Sequence, residues 1–373
     1  METDERLLTA NDSVGALGVR WDPQTDTLAL KVALMSERSF PEALTKRSAL
    51  SEAARLFDPL GWAAPVLIFA KVFLQDLWLR GCKWDDPLAT ELASGWEQFR
   101  ASLHQLNEVR IPRWVHFGSD TVTTELHGFS DASERAYAAV IYLRIARSDG
   151  NSAAHLLVAR TRVAPVKTQS IPRLELCGAV LLARLLTRVA KELEIPPTSV
   201  FAWTDARVVL CWISSHASRW KPFVAHRIAE IQGLLPSERW NHVRTTSNPA
   251  DLATRGVSPS DILNRDLWWH GPDWLGKPRK SWPETEATNF VNVPEDEQRT
   301  KLTAVHLAQA SPTEEILERF SSLIRLLRIT AYCFRFFHNL RNPLVVARSP
   351  PTSCSLVGHS GFAGANSETM TTR

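Results

Sequence analysis

Hydrophobic and polar positions alternate along this chain in three distinct regimes. The first is strand-like and short. Residues 14–21 (VGALGVRW) and 27–34 (TLALKVAL) are apolar runs on either side of DPQTD, and a Pro/Asp turn between two such runs predicts a hairpin. The second regime is helical. Thr45 or Ser48 supplies an N-cap for TKRSALSEAARLFD, which must stop before Pro59 and Gly61. After Pro65, VLIFAKVFLQDLWLRG is apolar nearly all round, broken only by Lys71, Gln75 and Asp76, which predicts a buried helix. A third helix is expected over residues 88–106. Residues 1–115 are therefore read as a small, mainly helical domain with a β-hairpin.

From residue 124 the alternation turns strand-like again. TELHGFSD, YAAVIYLRI and AHLLVARTRVAP are separated by DASER and ARSDGNS, and connections this short predict an antiparallel meander. Pro172 then opens a helix in which Leu174, Leu181, Leu182, Leu185, Val189 and Leu193 recur at helical spacing, and Pro196 ends it. SVFAWTD reads as a fourth strand, ARVVLCWISS and KPFVAHRIAEIQGLL as helices, and RWNHVRTT as a fifth strand. PADLATRG gives a last helical turn stopped by Gly256. The order β-β-β-α-β-α-α-β-α over residues 120–258 predicts an α/β fold with a mixed five-stranded sheet. Residues 259–312, rich in Trp, Pro and charge, read as an extended strap. Residues 313–341 form an amphipathic helix whose polar face carries Arg319, Arg325, Arg328, Arg335 and Arg341, and residues 342–373 have no periodicity and are expected to be disordered.

Composition narrows the class without naming it. The chain has 373 residues, enough for two or three domains, and its net charge of +3 announces no partner. Its five cysteines (Cys82, Cys177, Cys211, Cys333, Cys354) contain no CxxC pair, so neither a disulfide framework nor a zinc ribbon is expected and a reducing compartment fits. The first 30 residues lack an apolar core and no uncharged run of 18 apolar residues occurs. The expectation is a cytoplasmic or nuclear protein, not secreted and without a membrane partner. Most of the fourteen tryptophans are expected in cores, Trp203, Trp212 and Trp220 among them.

The chemistry concentrates in residues 126–256. HGFSD and FAWTD both end an apolar run in a hydroxyl residue and an aspartate, placing Asp131 and Asp205 at strand ends. Glu175 and Asp251 fall in first helical turns. Strand ends and helix N-termini meet at one edge of an α/β sheet, so the four can converge. Clustered carboxylates raise one another's pKa, and hard divalent cations with oxygen ligands, Mg²⁺ or Mn²⁺, relieve this. Two such ions about 3.5–4 Å apart can activate a water and stabilise the leaving oxygen of a phosphodiester. Taken singly, each acid also has a structural reading: Asp131 and Asp205 as turn or cap residues, Glu175 as a charge facing the helix dipole, Asp251 as a cap. Residues 120–258 carry 17 Lys and Arg against 12 Asp and Glu, an excess suited to a phosphate-tracking surface. Arg135, Arg173, Arg207, Lys221 and Arg255 lie near the motifs and are the candidate nucleic-acid contacts, a surface salt bridge being the alternative for each.

HGFSDAS, IPRLEL, WTD followed by VVLCWI, and NPADLATRG together resemble a type 1 ribonuclease H domain, and more narrowly that of BEL/Pao-type LTR retrotransposon polyproteins. TKRSALSEAARLFDPLGWAAPV and LQDLWLRGCKWDDPL resemble the segment joining reverse transcriptase to the nuclease in those polyproteins. LWWHGPDWL and the helix beyond it resemble the segment on the C-terminal side of the nuclease. The resemblance covers residues 14–341. It implies hydrolysis of the RNA strand of an RNA–DNA hybrid with Asp131, Glu175, Asp205 and Asp251 as metal ligands, a thumb/connection role for residues 1–115, and the polymerase and integrase parts as partners outside this chain. A catalytically inactive remnant that binds nucleic acid or a protein partner is the alternative. Departures matter too. Many ribonucleases of this type carry a His in the loop before the last Asp, and TTSNPA has none. No YxDD-like pair occurs, since Asp85 and Asp86 sit in a turn, so polymerase activity is not expected. The wider family name sometimes carries a peptidase label, yet no D-[ST]-G is present. Neither an HHCC zinc pattern nor integrase acids occur after the C-terminal helix, and the last thirty residues do not look like the family, which suggests a truncated or frame-shifted reading frame.

Overall fold

The structure, a computed structural model, describes residues 14–16, 18–32, 43–115, 117–283 and 297–299, with single helical positions between 324 and 335. Two compact units are distinguished, residues 1–300 and 301–373. In the second, the described positions (324, 327–329, 331, 332, 334 and 335) are helical. The rest of the expected amphipathic helix, and the expected tail, lie outside the described residues.

The first unit opens with an antiparallel sheet in the order β1 (Val14–Ala16), β2 (Val19–Asp22), β3 (Thr27–Leu30) and β4 (Ile111–Pro112). Two features differ from the sequence expectation. The run 14–21 is not one strand but two, folded at Gly18, whose φ of +80° is open to glycine at little cost. Ile111, expected only to end the helical region, pairs with Leu28 and closes the sheet. The DPQTD turn forms as expected, with the Asp22 carboxylate accepting from the Gln24 backbone N–H at 3.0 Å. α1 (Lys46–Arg55) begins in a reciprocal capping box between Thr45 and Ser48, so Thr45 is the cap. α2 (Ala64–Leu79) is buried over most of its surface, and the Asp58 carboxylate holds its entry through the Trp62 and Ala63 N–H groups at 2.9 and 2.8 Å. α3 (Thr90–Ser102) completes this region.

The second sheet is mixed and five-stranded, as the sequence implied. β5 (Thr121–Ala132), β6 (Ala136–Arg147) and β7 (Ser152–Val163) form the antiparallel meander. β8 (Val200–Thr204) and β9 (Trp240–His242) add in parallel, giving the order β7-β6-β5-β8-β9. The crossover from the meander to β8 is α4 (Ile171–Glu192). α5 (Arg207–Ser214) and α6 (Pro222–Leu234) join β8 to β9, and α7 (Ala250–Arg255) comes after β9. Alternation along β6 explains its continuous apolar run. Ala139, Ile141 and Leu143 pack with α4, α5 and α6, while Ala138, Val140 and Tyr142 pack with α2 and the tryptophans of the C-terminal stretch.

Residues 259–283 of the expected strap are not extended, and its residues 284–296 and 300–312 lie outside the described residues. Residues 259–283 fold into α8 (Pro259–Ile262), α9 (Asp266–His270) and single 3₁₀ turns that dock on the sheet. The Arg144 guanidinium donates to the Leu275 and Lys277 carbonyls at 2.7 and 3.1 Å, and the Tyr142 hydroxyl to the Trp268 carbonyl at 2.7 Å. Trp268 is fully buried and donates its indole N–H to the Trp62 carbonyl at 2.8 Å, so one ring ties the helical region, the sheet and this stretch together. Trp203, Trp212 and Trp220 are core residues as well. Trp268→Ala should cost about 3–5 kcal/mol, read as a lower urea midpoint at unchanged slope. No described helix is long and apolar enough to cross a membrane.

Candidate metal centre

The register between β5 and β8 builds the site. Ser130 lies opposite Thr204 in parallel pairing, so the next residues along each strand, Asp131 and Asp205, emerge side by side. Asp131 remains in β5, opposite Ala138. Glu175 comes from the second turn of α4, one turn later than the sequence suggested, because the helix already starts at Ile171, with Ser170 as the cap and Pro172 in the first turn. Gly178 brings that helix against the strand: a Cβ there would stand 3.0 Å from the Asp131 carbonyl oxygen. Carboxylate oxygens of Asp131, Glu175 and Asp205 lie within 4.8 Å of one another. Asp131 and Glu175 are buried and Asp205 is half-exposed.

Burial and crowding make the charged forms costly. Loss of water, then the neighbouring Asp205 and Asp251 charges, push the Asp131 carboxyl up to about 7, against the pull of the Thr254 hydroxyl that donates to Oδ2. Burial, then Asp131 and Asp205, push Glu175 up to about 9. Glu175 Oε2 is buried without a hydrogen-bond partner among the described residues. A buried, unpartnered carboxylate beside two more carboxylates lacks a positive charge, and a hard divalent cation with oxygen ligands supplies one. The residues fit such an ion.

The fourth acid stands apart from these three. Asp251 lies in the first turn of α7, half-buried, and its Oδ1 is 2.6 Å from Arg255 Nε, one helical turn on. It is near enough to raise the other acids, and burial raises it in turn. The candidate cations are scattered around the site. Arg135, on the β5–β6 turn, pairs with Asp76, and Arg173 is bound by both oxygens of Glu297, at 2.6 and 3.2 Å. Arg255 holds Asp251. Arg207 and Lys221 are exposed at the starts of α5 and α6.

Sequence reasoning passed over three polar residues that hold these acids. Thr245 donates to Asp205 Oδ2 at 2.8 Å, Asn248 reaches Asp205 Oδ1 at 3.4 Å, and Thr254 holds Asp131. All lie in TTSNPADLATR, where hydroxyl and amide residues flank the last acid. That clustering is the signal that was available.

Residues 45–206 match the family model described as Pao retrotransposon-like RNaseH-like domain. The match takes in the helical region and Asp131, Glu175 and Asp205, and stops before Asp251. Among solved structures, the chain is similar to the N-terminal RNase H domain of Rv2228c from Mycobacterium tuberculosis, determined as a fusion with maltose-binding protein. Identity is 16%, the TM-score 0.24, and the alignment covers 35% of this chain and 91% of that one. It is also similar to RNase H1 from the halophilic archaeon Halobacterium salinarum NRC-1, with 11% identity, TM-score 0.23, and 34% and 89% covered. LC11-RNase H1, isolated from compost by a metagenomic approach, gives 14% identity, TM-score 0.24, and 39% and 98%. No curated protein matches the chain.

Proposed function

We propose that this chain, whose residues 45–206 match the family model described as Pao retrotransposon-like RNaseH-like domain, hydrolyses the RNA strand of RNA–DNA hybrids at the acidic cluster. The observation that carries this reading is the convergence of Asp131, Glu175 and Asp205 within 4.8 Å, from a strand, a helix start and a second strand. In this reading the three carboxylates hold Mg²⁺, as two ions, or Mn²⁺, and Asp251 completes the set from the rim. A divalent cation there supplies a water acidified for attack and positive charge for the oxygen that leaves phosphorus. The chain's own part is to keep Asp131 and Glu175 dry and to hold Asp205 and Asp131 through the Thr245 and Thr254 hydroxyls.

The charge excess points to the surfaces that meet substrate. A mostly apolar groove of about 480 Å³ between α2, α3 and the end of α7 contains none of the four acids, but Arg135 and Arg255 line it together with Thr254, the residue that holds Asp131. Arg207 and Lys221 stand at the starts of the two helices between β8 and β9. Arg173 reaches a phosphate only by releasing Glu297. Lys221→Glu and Arg207→Glu should each weaken hybrid binding and lower the slope of log affinity against log salt by about 1, measured by fluorescence anisotropy.

Substrate choice tests the reading. With Mg²⁺, the chain should cut the RNA of a labelled hybrid and leave RNA duplex and DNA duplex intact. Equal cutting of all three would refute hybrid specificity, and no cutting beyond that of Asp131→Asn would refute catalysis.

A further inference from the structure

Asn248 is a fully buried polar side chain three residues before Asp251, and the catalytic reading leaves it without a role. Each of its amide atoms is used. Nδ2 donates to the Ser130 carbonyl at 3.0 Å and, more weakly, to Asp205 Oδ1 at 3.4 Å. Oδ1 accepts from the Ala250 N–H, the first of α7, at 3.2 Å. One side chain thereby links the residue before Asp131, the Asp205 carboxylate, and the start of the helix that carries Asp251. From the same loop, exposed Thr245 donates to the other oxygen of Asp205 at 2.8 Å. A carboxylate with a donor on each oxygen has its rotation set.

We propose that Asn248 is a positioning residue for the acidic cluster: with Thr245 it fixes the Asp205 carboxylate against Asp131 and Glu175, and so tunes cation affinity without touching substrate. The proposal rests on the metal-centre reading above. Only an amide can do this job. It needs two donors facing a carbonyl and a carboxylate, and one acceptor facing a backbone N–H. An aspartate would aim a third acceptor at two acceptors. A serine keeps the acceptor but is too short to reach Asp205.

That difference separates positioning from plain helix capping. Serine caps a helix start as well as asparagine does, so a capping role predicts that Asn248→Ser behaves as wild type. Positioning predicts loss of about 10–100-fold in Mn²⁺ affinity, the scale on which residues behind metal ligands act. The experiment is Mn²⁺ titration of the full chain by calorimetry, with hybrid cleavage measured in parallel. Asn248→Ser and Thr245→Val should both weaken Mn²⁺ binding and lower kcat at fixed Mn²⁺, with KM for the hybrid within about threefold of wild type, and saturating Mn²⁺ should restore kcat. Wild-type Mn²⁺ affinity in a folded Asn248→Ser overturns the proposal. If that variant does not fold, Thr245→Val at the surface decides, and unchanged affinity there overturns it. Asp131→Asn is the control for the underlying reading: if it binds Mn²⁺ as wild type does, the metal centre itself is wrong, whatever Asn248 does.

Discussion

Asp131→Asn should lower hybrid cleavage by at least about 10²–10³-fold, the scale seen when one preorganised electrostatic group is removed from an active site, while the metal-free protein becomes more stable at pH 8. The two effects have one cause. Asp131 is buried, and raising its carboxyl from the ordinary 3.8 to about 7 means that the charged form is disfavoured by roughly 4 kcal/mol. Above that pH the wild-type protein carries the buried charge and the variant does not. Asparagine has the same shape and still offers Oδ1 to the Thr254 hydroxyl, so the packing of α7 on β5 survives. Melting curves at pH 8 without divalent ions, beside single-turnover cleavage with Mg²⁺, read both effects. A variant that loses activity by unfolding would show lower stability instead.

The metal-free wild-type protein should lose stability as pH rises from about 5 to 9, and Mg²⁺ or Mn²⁺ should return it. Both buried acids have folded-state values above their ordinary ones: Asp131 from 3.8 to about 7, Glu175 from 4.5 to about 9. Between those limits the folded state binds more protons than the unfolded state, so stability falls with rising pH. The contribution is complete below about pH 4. It is lost progressively as pH climbs through 7 and then 9. A cation that binds only the folded protein offsets this by roughly 2.7 kcal/mol at a hundred times its dissociation constant, and it does so most where the carboxylates are ionised. The melting temperature at pH 8 should therefore rise several degrees on adding millimolar Mn²⁺, and at pH 5 hardly at all. Equal shifts at both pH values would mean the ion binds elsewhere.

The sheet and the three clustered acids were legible because they rest on local signals that tertiary structure reinforces. Asp131 and Asp205 each come after an apolar run and a hydroxyl residue, and the parallel pairing of Ser130 with Thr204 makes those runs neighbours. Glu175 stands just after Pro172 in a helix start, a position the chain announces. Residues 259–283 were harder to read because Trp, Pro and charge there have no period. Their short helices are held by distant partners, the Trp62 carbonyl and the Arg144 guanidinium. The two strands in residues 14–21 were missed because one glycine reverses the chain inside an otherwise strand-like run. Asp251 was legible as a helix-start acid, but its pairing with Arg255 depends on rotamers that spacing alone does not set. The donors Thr245, Asn248 and Thr254 lie in a segment read for its helical turn, its acid and the histidine it lacks, and their roles depend on which carboxylate the loop faces.

The central claim is that Asp131, Glu175 and Asp205 form a divalent-cation centre. Anomalous diffraction from crystals of the full chain soaked in Mn²⁺ tests it most directly. The account predicts density among these three side chains, with carboxylate oxygens from each at about 2.1 Å, the distance of a small, hard divalent ion. Mn²⁺ bound elsewhere on the chain, with none between these carboxylates, would contradict it.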